Sequence, residues 1–210
     1  MTAATPSPQP TEAEAGPGAT VFIGLGANLG DARATLRAAL AELRAFDLPE
    51  RDQAPGGPPG GLAPPRGFAA SSLYASAPVD SSGPDYVNAV ARLRTALAPY
   101  ALLDALQAIE QRFGRERPYR NAPRTLDLDV LLYGVEGDDG GIVLQDERLV
   151  LPHPRAAQRG FVLAPLAELW PGGTIPGAGR VADLLAVVRL DASQRVSRDG
   201  PGPEGARPRS

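Results

Sequence analysis

Lysine and cysteine are both missing from this 210-residue chain, and histidine occurs once, at position 153. Without Cys there is no disulfide frame, no thiolate nucleophile and no Cys-built zinc or iron-sulfur site, and one His cannot make a multi-His metal centre. A zinc hydrolase is therefore disfavoured. Without Lys there is no Schiff-base chemistry and no Walker-type lysine. Any polyphosphate must be held by Arg, backbone N–H groups and metal-bound carboxylates, for which Mg²⁺ is the expected cation. No apolar run approaches the roughly 20 residues of a membrane span, and Met1 to Ala19 lacks the basic and hydrophobic regions of a signal peptide. A cytoplasmic protein without a membrane partner is expected. The formal charge of −3, from 21 Arg against 24 acids, argues against a nucleic-acid partner, which usually calls for a basic stripe.

What is present suffices for one domain with ragged ends, since 43% of the residues are hydrophobic. Three stretches are expected to be disordered for want of apolar residues to offset ordering entropy: a tail over 1–19, a Pro/Gly-rich insertion over 48–67, and a tail over 192–210. Between them, Thr20 to Leu25 reads as a short buried strand. Asp31 to Phe46 reads as a helix capped by Asp31, with Leu36, Leu40 and Leu43 on one face. Phe68 to Tyr74 and Tyr86 to Thr95 read as strands. Pro99 opens a second helix striped by Leu102, Leu106, Ile109 and Phe113 and stopped by Gly114. Leu126 to Tyr133 is a further strand, Ile142 to Leu144 and Arg148 to Val150 a small hairpin, and Phe161 to Leu169 and Val181 to Leu190 helices. The order is the α+β, ferredoxin-like split β-α-β pattern, an antiparallel sheet with helices on one face and the other face free for a ligand.

Strand alternation puts Leu126, Leu128, Val130 and Leu132 toward the core and Asp127 and Asp129 together on the opposite face. Two carboxylates about 7 Å apart at i and i+2 can grip one or two Mg²⁺. A lone Asp-x-Asp is more often a half-exposed strand. Here, however, Arg112, Arg115, Arg117, Arg120 and Arg124 precede it with only Glu116 between them, and a polyphosphate with Mg²⁺ accounts for both clusters. A second basic group, Arg148, His153 and Arg159, follows. Neighbouring Arg side chains disfavour a charged His153, which suits a neutral donor to phosphate or ribose. The run Gly24 to Asp31 does not match the dinucleotide fingerprint and reads as a tight turn and helix cap. Asn28 within it is a candidate substrate contact, against the commoner role of a turn-forming Asn. Gln107 and Glu110 lie three apart on the second helix, lining a cleft or facing solvent. Tyr86 and Asn88 share a strand face and could present a stacking ring beside an amide to a flat heterocycle.

In chain order, Gly26-Ala27-Asn28-Leu29-Gly30-Asp31, Pro84-Asp85-Tyr86-Val87-Asn88-Ala89, Ile109-Glu110 with Gly114-Arg115, Pro123-Arg124-Thr125-Leu126-Asp127-Leu128-Asp129, and Pro152-His153 through Arg159-Gly160-Phe161 resemble the 6-hydroxymethyl-7,8-dihydropterin pyrophosphokinases of folate biosynthesis, over about Thr20 to Leu190. The resemblance implies a ferredoxin-like enzyme that transfers pyrophosphate from ATP to the pterin's hydroxymethyl group and releases AMP; a monomer is expected. It implies that Asp127 and Asp129 hold two Mg²⁺, and that Gln107, Glu110, Arg117, Val130, Arg148, Val150, His153 and Arg159 surround ATP. Arg115 and Arg124 would stabilise charge on the moving group. Ser76, Ala77, Pro78, Val79, Tyr86, Asn88 and Phe161 would form the pterin pocket, with Tyr86 or Phe161 stacking on the ring. Asn121 stands beside that pocket where many members have Trp.

Two other readings stay open on the residues themselves. A nucleotidyltransferase also suits a glycine turn before a helix and a later Asp-x-Asp strand, and would release pyrophosphate instead of AMP. A non-catalytic ferredoxin-like binding module would leave Asp127 and Asp129 facing solvent and bind its ligand without Mg²⁺.

Overall fold

The computed structural model describes residues 18–48, 67–78, 83–114, 124–137 and 139–199. In chain order the elements are β1 (Ala19–Ala27), α1 (Ala32–Leu43) with a 3-10 turn (Arg44–Phe46), β2 (Ala69–Ala70), β3 (Tyr74–Ser76), β4 (Tyr86–Thr95), α2 (Pro99–Arg112), β5 (Asp127–Tyr133), the hairpin β6 (Leu144–Gln145) and β7 (Val150–Leu151), α3 (Gly160–Leu169), the hairpin β8 (Thr174–Ile175) and β9 (Gly179–Arg180), α4 (Val181–Val188) and β10 (Val196–Arg198). Asp31 caps α1 as expected, its carboxylate accepting from the Ala34 N–H at 2.9 Å. No helix among the described residues is long and apolar enough to cross a membrane.

The main sheet is antiparallel in the order β10-β3-β4-β1-β5, with β2 also on β4. Strand parity sorts its side chains into two cores. On one face Val21, Ile23 and Leu25 of β1, Ala89, Ala91 and Leu93 of β4 and Leu128 and Val130 of β5 pack under Leu36, Leu40 and Leu43 of α1 and Leu102, Leu106 and Ile109 of α2. Each fully buried Leu or Ile there contributes about 1.5–3 kcal/mol. This is the split β-α-β arrangement.

The second face is not left wholly free. Phe22, Val90, Leu131 and Leu132 meet Val162, Leu163, Leu166 and Trp170 of α3 and its continuation, and Val181 and Leu185 of α4. The rings of Phe22 and Trp170 stack at 5.3 Å. The reason lies in β1, which reads Phe22, Gly24, Gly26 on this face. Its apolar end needs cover and its glycine end does not, so α3 and α4 close one half and leave the other open.

Three local expectations change. A bulge in β5 pairs Phe22 with Leu132 and Ile23 with Val130, so Leu131 is the extra residue and parity flips beyond it. Leu132 therefore joins the second core instead of following Leu126, Leu128 and Val130. Tyr133 turns to the first core and donates its hydroxyl to Leu97 O at 2.8 Å. Phe68 to Tyr74 is not one strand. Ser71 and Ser72 interrupt it because their side chains replace ladder partners: Ser71 Oγ accepts from Val90 N at 3.0 Å, and Ser72 N and Oγ donate to Glu168. The small hairpin forms slightly later than expected, over β6 and β7.

The C-terminal tail expected over 192–210 is ordered through Asp199. Val196–Arg198 pairs with the otherwise free edge of β3, and Arg198 bonds Glu168 at 2.8 Å and Ser72 Oγ at 2.6 Å. Those partners lie 30 and 126 residues away in the chain. The expected N-terminal tail and insertion lie outside the described residues except at their edges. There Ala19 opens β1, and Leu48 N donates to Arg94 O at 2.8 Å.

Candidate active site

The uncovered half of the second face is a cleft of about 430 Å³. Gly24 and Gly26 of β1 form its floor. A methyl group on Gly24 would stand 3.2 Å from the Leu131 side chain, and one on Gly26 would stand 3.4 Å from Asn88 Oδ1. Side chains there would fill the space a ligand needs. Asp127 and Asp129 rise from β5 on one side of this floor. Tyr86 and Asn88 rise from β4 on the other. The segment from His153 into the start of α3 closes the end.

On the β5 side, Arg124 forms an ion pair with Asp127, and His153 Nε2 lies 3.9 Å from Asp129 Oδ2. The imidazole is held from behind. Its Nδ1 accepts from the Arg155 N–H at 3.2 Å, and its own backbone N–H donates to Leu131 O at 2.9 Å. With Nδ1 an acceptor, the proton of the neutral ring is assigned to Nε2, on the side of Asp129. Burial, with Arg159 and Arg155 adding to it, pushes the His153 pKa below its ordinary value against the opposing pull of Asp129. Burial and then the Asp127 charge push the Asp129 carboxyl above its usual range, while His153, Arg124 and Arg159 pull it back. Burial and the nearby Arg155 depress Arg159 in the same way.

The acids fit a hard dication. No group of three or more His, Cys, Asp or Glu able to hold a metal occurs among the described residues. A closed protein cage is therefore not on offer, and two carboxylates on one strand face are. Mg²⁺ binds in this way, through one or two carboxylates with water and substrate phosphates completing its shell. A dication beside Asp129 would also relieve the repulsion that raises its pKa.

On the β4 side, Asn88 is buried and donates both amide hydrogens to the protein, to Ser76 Oγ at 3.0 Å and Tyr74 O at 3.4 Å. Its Oδ1 is left as an acceptor above Gly26, suited to the N–H edge of a flat heterocycle. Tyr86 and Phe161 supply rings at this end, and the Arg159 guanidinium sits 5.3 Å over the Phe161 ring.

Of the sequence-predicted residues, the cleft brings together Ser76, Ala77, Tyr86, Asn88, Arg124, Asp127, Asp129, His153, Arg159 and Phe161. Seven described ones do not line it. Asn28 is buried and ties loops together, Oδ1 accepting from Arg124 N at 2.9 Å and Nδ2 donating to Pro84 O at 3.3 Å. It positions Arg124 instead of reaching the cleft. Glu110 is buried on α2, where Oε1 accepts from Leu128 N at 2.9 Å, between the two aspartates in sequence. Gln107 is exposed on α2, and Val130 packs in the first core by strand parity. Arg148 lies over the Tyr100 ring at 5.4 Å and pairs with Asp104. Val150 is half-buried in β7, and Pro78 is half-buried just past Ala77. Val79, Arg115, Arg117 and Asn121 lie outside the described residues.

Sequence reasoning missed Gly24, Gly26, Leu131, Arg155, Gln158, Val162 and Gln194 as cleft residues. Two glycines at period 2 in a strand were a readable signal for close backbone approach. Arg155 and Gln158 were within the quoted basic segment. Gln194 had no local signal at all.

Residues 22–171 match the family described as 7,8-dihydro-6-hydroxymethylpterin-pyrophosphokinase. A 2-amino-4-hydroxy-6-hydroxymethyldihydropteridine pyrophosphokinase of Pseudomonas aeruginosa is 41% identical over 178 residues, covering 84% of this chain and 96% of that protein. A Haemophilus influenzae protein of the same name is 45% identical over 116 residues, 55% of this chain and 69% of its own. Among solved structures, Plasmodium falciparum HPPK-DHPS superposes with a TM-score of 0.55 at 12% identity, over 81% of this chain. That likeness speaks for the fold, and the chain spans 44% of the longer protein.

Proposed function

This chain belongs to the 7,8-dihydro-6-hydroxymethylpterin-pyrophosphokinase family, and we propose that its cleft moves the terminal diphosphate of ATP to the hydroxyl of 6-hydroxymethyl-7,8-dihydropterin, a step of folate biosynthesis. The observation that carries this reading is the cleft itself. It sets an acid pair with Arg124 and His153 on the β5 side of a glycine floor and Asn88 and Tyr86 on the β4 side, with Arg159 over the Phe161 ring where the start of α3 closes the end. The first group suits a triphosphate and the second a flat, hydrogen-bonding ring.

In the reaction the hydroxymethyl oxygen attacks the β-phosphorus of ATP, and the bond from that phosphorus to the oxygen bridging to the α-phosphorus breaks. AMP leaves with the electron pair, and the hydroxyl proton passes to solvent or phosphate. Asp127 and Asp129 would hold two Mg²⁺, which supply charge neutralisation on the phosphates when bound. Arg124 and Arg115 would stabilise charge on the moving group, and Arg159 and Arg117 would bind ATP. His153 serves as a donor through Nε2–H, because its Nδ1 is already engaged and its protonated form is disfavoured by burial. Asn88 Oδ1 accepts from the pterin edge while Tyr86 or Phe161 stacks on the ring. Ser76 and Ala77 line the same end. The adenosine end of ATP runs along the outer edge of β5 toward Gln107, Arg148 and Val150. There the Val130 backbone points outward by the same parity that directs Leu128 N to Glu110. Both substrates are small molecules, so neither nucleic acid, membrane nor second subunit is required, and we assign a cytoplasmic monomer.

The test is to incubate the chain with ATP, Mg²⁺ and hydroxymethyldihydropterin and identify the nucleotide product. AMP formation dependent on Mg²⁺ and pterin is expected. Pyrophosphate release, or turnover unaffected by chelation, would overturn the assignment.

A further inference from the structure

Beyond the residues matched by the family, a strap from Asp191 to Asp199 runs along the ring end of the cleft. It is fastened by β10 on β3, with Val196 opposite Ser76, and by Asp199, whose N–H donates to Leu73 O at 2.7 Å and whose carboxylate meets Arg33 at 2.5 Å. Between those fastenings and α4 it passes over the start of α3. A methyl group on Gly160 would stand 2.2 Å from the Gln194 carbonyl oxygen. Gly160 is the first residue of α3, whose N-cap, Arg159, makes no side-chain capping bond. Gln194 Oε1 instead accepts from the Gly160 N–H at 3.2 Å, and Gln194 is among the residues that line the cleft.

We infer that Gln194 is a positioning residue for the pterin site, holding the start of α3 so that Phe161 faces the ring. The named bonds of the strap go to β3, α3 and α1, and none to β5. Two residues of the ring end, Ser76 and Phe161, therefore stand on elements the strap is bonded to, while Asn88 and Tyr86 stand on β4 and the aspartates on β5, to which none of those bonds goes. A helix's first N–H groups have no partner within the helix. Supplying one from a distant side chain fixes the peptide that joins Arg159 to Gly160 and, one residue on, the aim of the Phe161 ring. The inference rests on the pyrophosphokinase reading for what occupies the cleft.

The experiment compares Gln194→Met, similar in length but unable to accept in the same way, with Gln194→Glu, which keeps the acceptor. KM for pterin and for ATP are measured separately, and pterin binding is followed by its own fluorescence without turnover. Gln194→Met should raise the pterin KM and Kd about threefold to tenfold, the scale of one neutral hydrogen bond, with ATP KM changed by less than about twofold. Gln194→Glu should recover most of that loss. If Gln194→Met fails to fold, Gln194→Asn, one methylene short of Gly160, reads the same loss. Unchanged pterin affinity, an equal rise in both KM values, or no recovery in Gln194→Glu would overturn the role of Gln194. Absence of AMP-forming turnover in the unaltered chain would instead overturn the reaction.

Discussion

Asp129 is shaped by conflict between charge and fold. Its carboxyl is pushed up by burial and by Asp127, so at neutral pH its negative charge costs stability in the metal-free protein. The sign follows from linkage: with the folded pKa above the unfolded one, the group's stabilising contribution is complete below the unfolded value, near 4, and is lost as pH rises through the folded one. Asp129→Asn should therefore melt at the same or a higher temperature than the unaltered chain in the presence of a chelator. Turnover should fall by at least about a hundredfold, since a group that neutralises transition-state charge is gone. A lower melting temperature with activity retained would contradict the assignment. Asp127→Ala should cost as much activity.

At the same scale, His153 offers an isolated probe because the chain has no other histidine. Its proton NMR titration should have a midpoint below the ordinary value near 6.5, and Asp129→Asn should lower it further by removing the largest upward pull. Because the folded value is the depressed one, the His153 contribution to stability is present above the unfolded pKa and is lost as pH falls through the folded value. A midpoint at or above 6.5 would remove the grounds for treating the ring as a neutral donor.

Among the elements, those whose order is local were legible from the residues. β4 runs from Tyr86 to Thr95 as its alternation indicates, and α2 spans Pro99–Arg112 between its proline and Gly114. What remained hidden depended on partners far along the chain. The bulge at Leu131 is a matter of register against β1, so alternation alone carried Leu132 to the wrong face. β10 is three residues, Val-Ser-Arg, with no strand signal beyond one valine, and exists because β3 offers an edge and Glu168 an anion. The same split runs through the site. Asp127, Asp129, Tyr86 and Asn88 follow from parity within a strand, and His153 and Arg159 from local charge. Gln194 is a neutral amide brought in by that unreadable strap.

The junction of β3, α3 and β10 has its own readout. Tyr74 of β3 donates its hydroxyl to Glu168 at 2.9 Å, and burial together with that bond pushes its pKa up to about 12. Tyr100, bonded to Asp146, and the buried Tyr133 are pushed up as well, so ultraviolet titration of the tyrosines should show a late component that loses one tyrosine's absorbance in Tyr74→Phe. The neutral phenol is the native form, so its contribution to stability holds below pH 10 and disappears between about pH 10 and 12. The melting temperature of the unaltered chain should fall more steeply across that window than that of Tyr74→Phe. Parallel slopes would show that the phenol–Glu168 contact does not persist in solution.

At the scale of the whole molecule, the sheet is sandwiched unequally. The first core lies under two long helices that pack against the central strands. The second is closed by the C-terminal third of the chain, which must also leave the glycine floor open. The open half is bordered by β3, and β3 is flanked by β4 on one side and β10 on the other. Ending the chain at Leu190 removes that outer strand, the packing of Val196 on the second core and the Arg198 and Asp199 bonds. Arg198 is 60% exposed, so its ion pair counts for little. The loss is chiefly that of strand hydrogen bonds and apolar cover, about 1–3 kcal/mol, or roughly 2–10 °C in Tm for a domain of this size. A chain ended at Asp199 should keep the full Tm, because it keeps every one of those contacts. Calorimetry on the two should give a single transition in each, lower for the shorter chain, with the pterin KM raised in that chain alone. Equal melting temperatures would mean that β10 is not a working part of the fold, and the cleft would then lose the wall on which its ring end depends.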